Sequence, residues 1–422
     1  MNTLVAYLSS WEGRKALFFF SNGFALDSLR EAMALRLAHE ATTAQVTIHP
    51  IDSLGLIREK TFSDYLAVFA LNTGGVLIHG TNNFAAGLAR IEQETRVTYV
   101  LAYRPPGKPD GRFHSTVVNV ARKGVRIRSQ EGFLWLTDEG VQERRILAAH
   151  MNPELFDELP FAIEPEFYLT ADGGQAVDLA LAIPDRSILF LPHGDRNVAR
   201  LDVGLTFRSA LGIMDRFSQR VEIRLPASGA RSSEAGPESE DLTLLVQRRI
   251  PSGDYEVVAV VSDVESGQVG AVQGRIKVPS LATDRMAASS LILSSPDQRI
   301  RRVVLDSGVV RDPRLTIPAV RRTFSRDTEM VGSLFVYHPQ REEESGTARV
   351  RVKGVIRRGS DIVQEIPSTL YVFTAETSAD GIPLKFPVSL TGLEPGPYNL
   401  EIQVLDEIAS RGISQRGDFT VH

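Results

Sequence analysis

Apolar runs alternate with amphipathic segments over the first 135 residues. Residues 15–20 are nearly all apolar and end at Ser21-Asn22-Gly23, which predicts a buried parallel strand followed by a turn. Ser28 and Glu31 have capping-box spacing and predict the start of a helix. Further patterns predict strands at 45–51, 76–79, 96–104, 114–121 and 125–128, and helices at 63–71 and after Asn83. Strand–helix–strand order with short connections predicts an open α/β sheet.

An internal repeat organises the rest of the chain, where short strand-like runs replace the helical patterns. Gly253-Asp254-Tyr255 recurs as Gly396-Pro397-Tyr398, an offset of 143 residues, and the same offset relates Asp263 to Asp406. Two consecutive immunoglobulin-like β-sandwich domains, each ending in the same two strands, explain this register. The predicted domains are residues 1–135, 136–279 and 280–422.

The repeat predicts structural positions for four side chains. Tyr255 and Tyr398 begin alternating strands, so each ring is expected inside a sandwich with its hydroxyl on the backbone of the preceding turn, as in a tyrosine corner. The alternative is an exposed aromatic ring that stacks on a ligand. Asp263 and Asp406 are expected to be turn carboxylates, and the alternative for them is a Ca²⁺ site in a sandwich loop.

A family resemblance is carried by six ordered segments, at residues 13–23, 46–52, 72–75, 90–91, 99–105 and 110–114. Together they resemble the second half of the von Willebrand factor A-related domain found in many bacterial, especially acidobacterial, proteins. The sandwich region also resembles the C-terminal halves of such proteins, so the resemblance covers most of the chain. It implies a doubly wound sheet, a role in protein binding or adhesion without catalysis, and a location outside the cytoplasm, in the periplasm or secreted.

The resemblance also implies a metal-ion-dependent adhesion site, from which this sequence departs. The family binds a divalent cation through an Asp-x-Ser-x-Ser loop, a Thr and the Asp of a Ser-Asp-Gly turn. That loop is absent here, and in the turn Ser21-Asn22-Gly23 a neutral amide replaces the carboxylate. We therefore expect no metal and no cofactor. We expect Ser21, Asn22, Gly23 and Asp52 to form a protein-contact loop; for Asp52, a turn or helix-cap carboxylate is the alternative.

The chain begins near the family's fourth strand, so the resemblance implies that a neighbouring strand is missing. The missing strand would leave an open edge along residues 16–20, beside Phe18, Phe19 and Phe20. Open apolar edges template aggregation. This predicts either a truncated gene start or a strand from another chain that covers residues 16–20.

Composition and charge narrow the classes of function. There are 47 basic and 52 acidic side chains, too balanced for a nucleic-acid binder. Cysteine is absent, which excludes disulfides and cysteine nucleophiles. No apolar run approaches the roughly 18 residues that span a bilayer, and the first residues lack a signal-peptide pattern. The small, acidic residues 227–241 predict a mobile loop.

The first hypothesis is a non-enzymatic interaction or adhesion protein with an unknown protein partner. The eight histidines lack metal-ligand spacing, and no nucleophile elbow, phosphate loop or dinucleotide motif occurs. The alternative is a hydrolase or carbohydrate-active protein whose site assembles only in three dimensions. Two carboxylates about 5–9.5 Å apart in a cleft would support that alternative. A structural module of the cell envelope is a third possibility.

Overall fold

The computed structural model describes residues 2–9, 11–23, 28–56, 63–96, 99–125, 127–170, 174–226, 241–281, 285–295, 300–305, 318–326, 328–374 and 381–422. The side chains of residues 2–3, 28–32, 63–65 and 300–302 are outside this description, as are residues 227–240 of the predicted acidic loop. The predicted capping pair Ser28 and Glu31 therefore lies outside it too. Two compact units divide the chain, Met1–Leu155 and Phe156–His422. In the described part, no helix has the length and apolar character needed to cross a membrane.

The described part of the first unit combines helices with short strands. In chain order these are α1 (Asn2–Ser9), β1 (Lys15–Ser21), α2 (Ser28–Thr43), β2 (Val46–Asp52), α3 (Ser63–Thr73), α4 (Phe84–Thr95), β3 (Phe113–Ser115), β4 (Gly132–Leu134) and α5 (Asp138–Met151). A 3₁₀ turn at Pro153–Leu155 follows α5.

β1 and β2 are parallel neighbours, with Lys15 opposite Val46 and Ser21 opposite Asp52. A single bridge from Ile51 to Ile78 is what remains of the strand predicted at 76–79. Side chains alternate along a strand, so Leu17 of β1 packs into a core that α1, α2, β2 and α3 share. The opposite face of β1 is exposed.

Two predicted strand regions of the first unit differ in the structure. Residues 99–104 form no strand, and Tyr99 is 86% exposed. The predicted hairpin at 114–128 is replaced by β3 and β4, which pair Phe113 with Leu134. A strand is stable only beside a partner, and no described strand lies beside residues 99–104.

β-Strands make up most of the second unit. In chain order they are β5 (Ala162–Leu169), β6 (Gln175–Pro184), β7 (Leu191–His193), β8 (Arg196–Ser209), β9 (Gly212–Pro226), β10 (Asp241–Arg248), β11 (Gly253–Asp263), β12 (Val269–Val278), β13 (Ala287–Ala288), β14 (Ile292–Ser294), β15 (Ile300–Leu305), β16 (Thr323–Phe324), β17 (Glu329–Tyr337), β18 (Ala348–Arg358), β19 (Asp361–Phe373), β20 (Ile382–Ser389), β21 (Gly396–Asp406) and β22 (Arg411–Val421). A 3₁₀ turn occupies Asp185–Ser187.

These strands form two sandwich-like pairs of sheets. In the first sandwich, the sheet β15-β10-β6-β5 faces the sheet β12-β11-β8-β7, with β9 also paired to β8. In the second, β13-β17-β14, with β20 on β17, faces β16-β22-β21-β18-β19. Each pair encloses one apolar core, to which both of its sheets contribute. The chain is therefore a multidomain protein with β-sandwich architecture in its larger unit.

The repeated strands also have the same pairing register. Tyr255 of β11 lies opposite Ile276 of β12, and Tyr398 of β21 lies opposite Phe419 of β22. Ile276 and Phe419 are thus separated by the same 143 residues as Tyr255 and Tyr398.

The predicted domain boundaries at 135 and 279 differ from this division. α5 lies beyond residue 135 but belongs to the first compact unit, where the Asn152 side chain at its end donates to Tyr7 O (3.1 Å). β15 lies beyond residue 279 but pairs in parallel with β10 of the first sandwich. Leu305 of β15 is buried in that sandwich's core.

Candidate functional site

The predicted contact residues meet where β1 and β2 end. Because the strands are parallel and in register, Ser21 and Asp52 are neighbours at the carboxyl end of the sheet. Ser53 N–H donates to Ser21 O (3.1 Å), and the Ser53 hydroxyl donates to Asn22 Oδ1. The structure therefore places Ser21, Asn22 and Asp52 on two adjoining loops.

Several polar atoms of these two loops form hydrogen bonds within the loops. Gly23 N–H donates to Ser21 Oγ (3.1 Å), and Leu54 N–H donates to Asp52 Oδ1 (3.0 Å). Asp52 thus stabilises its own turn, the alternative interpretation of this residue. Among the described residues, no cluster of three or more metal-ligating side chains occurs here or elsewhere.

β1 presents an open edge on the side away from β2. Lys15 N–H donates to Gln45 O (2.8 Å) at one end of the ladder, and Ser21 O accepts from Ser53 at the other. In a parallel ladder, alternate residues turn both backbone groups toward one neighbour. The backbone groups of Ala16, Phe18 and Phe20 therefore point away from β2, where no strand of the described residues lies.

The same three residues carry the exposed face of β1. Phe18 is 43% exposed and Phe20 is 57% exposed. Unpaired backbone groups and apolar side chains thus coincide at Ala16, Phe18 and Phe20, which we call the β1 edge. A strand that pairs with this edge would form hydrogen bonds with the unpaired backbone groups and would cover the apolar side chains.

A buried histidine supports the β1 edge from β2. His49 is 1% exposed, and its ring stacks on Phe18 with centroids 5.4 Å apart. Its Nδ1 accepts from Val76 N–H (3.1 Å), so the proton of the neutral ring lies on Nε2, which has no hydrogen-bond partner. Burial, followed by the nearby Arg128, holds the pKa of His49 below its usual value.

The two repeat tyrosines lie inside their sandwiches, each 5% exposed. The Tyr255 hydroxyl donates to Pro251 O (3.0 Å), and the Tyr398 hydroxyl donates to Glu394 O (2.6 Å). This is the structural placement considered from the sequence, with the ring inward and the hydroxyl on the backbone before the strand.

The two repeat aspartates are fully buried turn carboxylates. Asp263 accepts from the N–H groups of Leu189 (2.8 Å), Glu265 (3.0 Å) and Ser266 (3.3 Å). Asp406 accepts from the N–H groups of Gln340 (2.6 Å), Ile408 (3.0 Å) and Ala409 (3.0 Å). Each carboxylate accepts hydrogen bonds from three backbone N–H groups, which supports a role in stabilising the turn over a Ca²⁺ site.

An aromatic cluster and a cleft escaped the sequence analysis. In the first unit, the His114 ring stacks on Phe133 at 5.5 Å and meets Trp135 edge-on at 5.5 Å. The alternation of Phe133 and Trp135 was the available signal for this cluster. In the second unit, a cleft of about 490 Å³ is lined by residues from separate segments, and Asp406 is the carboxylate that the described residues contribute to its lining. No local signal could have joined those segments.

Comparison with known proteins leaves the family open. No protein-family model matches the sequence, and no curated protein matches it. The solved structures that are similar to part of the chain include two of β-glucuronidases and one of fibronectin(III)-like modules. β-Glucuronidase 2 of Bacteroides uniformis, bound to cyclophellitol-6-carboxylate aziridine, shares 11% identity over 58% of this chain and 26% of its own, with a TM-score of 0.21. Another structure of a B. uniformis β-glucuronidase shares 10% identity over 58% of this chain and 26% of its own, with a TM-score of 0.20.

The third similar structure contains the fibronectin(III)-like modules of CbhA from Clostridium thermocellum. It shares 7% identity over 62% of this chain and 93% of its own, with a TM-score of 0.15. The chain thus spans about a quarter of the length of the two β-glucuronidases. These similarities carry no argument about function, which has to come from the chain's own geometry.

Proposed function

We propose that this protein binds another protein through the β1 edge and the adjoining loops at Ser21–Asn22 and Asp52, and that it catalyses no reaction. The observation that carries the proposal is the coincidence of unpaired backbone groups and exposed apolar side chains at Ala16, Phe18 and Phe20. A partner that adds a strand to this edge gains main-chain hydrogen bonds for affinity and side-chain contacts for specificity.

The sequence resemblance refines this proposal. Residues 1–135 would be the C-terminal half of a von Willebrand factor A-like domain without a metal-ion-dependent adhesion site, in a protein that acts outside the cytoplasm. The parallel order of β1 and β2 supports such a domain. The Ser53 hydroxyl donates a hydrogen bond to Asn22 Oδ1. Because this amide oxygen is already engaged in that hydrogen bond, the contact supports binding of a partner without a metal ion. The two sandwiches, as immunoglobulin-like domains, would add spacing or binding surface.

The test is selection of extended peptides displayed on phage, followed by measurement of the affinity of the selected peptides for the full chain. Ala16→Pro removes one N–H that points away from β2, and it leaves the β1–β2 ladder intact. We expect this variant to lose the selected peptides by tenfold or more. Amide exchange at Ala16, Phe18 and Phe20 should slow when a peptide binds.

The matched control is Phe19→Pro, which removes an N–H directed at β2 and should disrupt the first unit. Ala16→Pro, by contrast, should keep the wild-type circular dichroism and tryptophan fluorescence. Peptides that bind Ala16→Pro and wild type equally, with unchanged exchange along β1, would contradict the proposal.

A further inference from the structure

Asn22 is the one asparagine of the sequence that a glycine follows, and it is exposed in the loop after β1. An asparagine can lose its side-chain amide without an enzyme when the backbone nitrogen of the next residue attacks the side-chain Cγ and closes a five-membered ring. Glycine has no Cβ to obstruct this attack. The sequence Asn22-Gly23 therefore permits the reaction, and the surroundings of the two residues determine how readily it proceeds.

Two hydrogen bonds at this loop involve the groups that would react. Gly23 N–H, the attacking group, donates to Ser21 Oγ (3.1 Å), an oxygen that can pass the proton on to water. Asn22 Oδ1, where negative charge develops during the attack, accepts from the Ser53 hydroxyl. A hydrogen-bond donor at that oxygen stabilises the developing charge. The loop therefore assists both the loss of the proton and the attack on Cγ.

The loop before α4 offers an internal comparison, because it has the same kind of hydrogen bonds without the glycine. Asn83 N–H donates to Thr81 Oγ1 (3.0 Å), and Asn82 Oδ1 accepts from Leu56 N–H (3.2 Å). Asn82 is exposed, as Asn22 is. The nitrogen that would attack Asn82, however, belongs to Asn83, whose side chain hinders the approach. The two loops therefore separate the effect of the glycine from the effect of exposure.

We propose that Asn22 is a modification site at which the folded chain promotes its own deamidation. Gly23 N loses its proton and forms a bond with Asn22 Cγ. The bond from Cγ to Nδ2 then breaks, and Nδ2 leaves as ammonia with the proton it has gained. Water opens the resulting cyclic imide at one of its two carbonyl carbons. Opening at Cγ gives an aspartate, and opening at the main-chain carbonyl carbon gives an isoaspartate.

Both products introduce a carboxylate into the loop after β1. This loop adjoins the loop of Asp52, because Ser21 and Asp52 are neighbours at the ends of β1 and β2. The reaction therefore adds a negative charge to the surface that the proposed function uses. The isoaspartate also lengthens the main chain by one carbon atom directly after β1. The reaction itself needs only water and does not depend on the proposed function.

The test incubates the full chain at neutral pH in heavy-oxygen water, digests it in ordinary water and examines both asparagines by peptide mass spectrometry. Heavy oxygen then marks the carboxylates that formed during the incubation. We expect Asn22 to convert progressively to a mixture of aspartate and isoaspartate, while Asn82 keeps its amide. Asn83→Gly should start the same conversion at Asn82, because it removes the side chain that hinders the attack. Glycine is also tolerated as a helix N-cap.

Ser53→Ala removes the hydroxyl and keeps the hydrogen bond from Ser53 N–H to Ser21 O. It should slow the conversion of Asn22 about tenfold, less than the loss of such a donor from an enclosed active site, because this loop is exposed. Ser53→Thr keeps a hydroxyl and is the matched control, so it should react as fast as wild type.

The same chains unfolded in urea provide the reference, and there Ser53→Ala and wild type should react equally fast. An Asn22 that keeps its amide in the folded chain and reacts only in urea would overturn the proposal. Equal rates for folded Ser53→Ala and folded wild type would also overturn it, because the reaction would then be a property of the sequence alone.

Discussion

Tyr255 and Tyr398 hold equivalent positions in the two sandwiches, and each hydroxyl donates to a carbonyl four residues earlier. The Tyr398 ring also stacks on Phe419 at 5.6 Å, and the Arg358 guanidinium lies 5.6 Å from its centroid. Removing the ring therefore removes core packing, whereas removing the hydroxyl removes a single hydrogen bond.

We predict that Tyr398→Ala lowers the free energy of unfolding of the second unit by ~3–5 kcal/mol, because it leaves a cavity and an unpaired carbonyl. Tyr398→Phe should cost only ~1 kcal/mol, the net contribution of one hydrogen bond. Urea unfolding followed by far-ultraviolet circular dichroism measures both. Tyr255→Phe is the matched control and should also cost ~1 kcal/mol. A loss below about 0.5 kcal/mol for Tyr398→Ala would mean that the ring contributes little to the core.

We expect His49 to make the stability of the first unit sensitive to acid. Its Nδ1 accepts from Val76 N–H. Protonation of Nδ1 would therefore bring two N–H donors face to face and would place a charge in the core. The folded-state pKa is lowered, chiefly by burial, so the unfolded chain binds more protons below its own pKa of about 6.5. The stabilisation by the neutral ring is complete above that pH and declines as the pH falls toward the folded-state pKa.

We predict that the urea concentration at the unfolding midpoint of the first unit decreases when the pH is lowered from 7.5 to 5. Both tryptophans, Trp11 and Trp135, belong to this unit, so tryptophan fluorescence reports its unfolding. His49→Gln should flatten the pH dependence, because a glutamine oxygen can accept from Val76 and does not titrate. His39, whose pKa burial also lowers, should leave a residual dependence of stability on pH in this variant. If the urea midpoint depends on pH equally in His49→Gln and in wild type, this result would contradict the role of His49.

At the scale of elements, the loop after α3 approaches β2 too closely for a side chain. A Cβ on Gly75 would lie 1.8 Å from Ile48 O, and Thr73 Oγ1 accepts from Ile48 N–H (2.9 Å). Gly74, with φ +74°, turns the chain out of the helix. The loop after α3 therefore needs glycine at Gly75 for space and at Gly74 for a left-handed backbone conformation.

We predict that Gly75→Ala destabilises the first unit by about 3 kcal/mol, because β2 or the loop has to move. Gly80→Ala is the control: its Cβ would meet nothing within 4 Å, and its φ of +63° leaves only the ~1 kcal/mol cost of a left-handed backbone. Urea unfolding followed by tryptophan fluorescence compares the two variants. Equal losses would mean that the contact with Ile48 is unimportant.

Elements with local signals were predictable from the sequence, and elements that depend on distant partners were not. The apolar run at β1 is a local signal, and so is Asn83, the N-cap of α4, whose side chain accepts from Ala86 N–H (3.1 Å). The strand predicted at 96–104 was wrong for residues 99–104, because a strand needs a neighbour that no local pattern shows. The cleft of the second unit could not be predicted for the same reason, since its lining residues Arg285, Arg341 and Arg411 lie far apart in sequence.

At the scale of the whole molecule, the two sandwiches of the second unit share structure. β15 adds a parallel strand to β10 and buries Leu305 in the first core. The Tyr337 hydroxyl accepts from Leu169 N–H (3.1 Å), and Ser290 Oγ accepts from Phe167 N–H (2.8 Å). An apolar cluster between the sandwiches includes Tyr168, Leu169, Ile292, Phe335 and Tyr337. Separation of the sandwiches would expose this cluster.

We predict that a fragment of residues 156–422 folds without the first unit, whereas fragments 156–279 and 280–422 do not fold stably when expressed apart. The shorter N-terminal fragment lacks β15, so β10 loses its outer neighbour and the core loses Leu305. Circular dichroism and urea unfolding of the three fragments provide the comparison. When the two shorter fragments are mixed, they should recover the strand signal, because β15 and the apolar cluster can then form between chains. A cooperative unfolding transition of 156–279 alone, as stable as that of 156–422, would instead favour the division at residue 279 and make the exchanged strand dispensable.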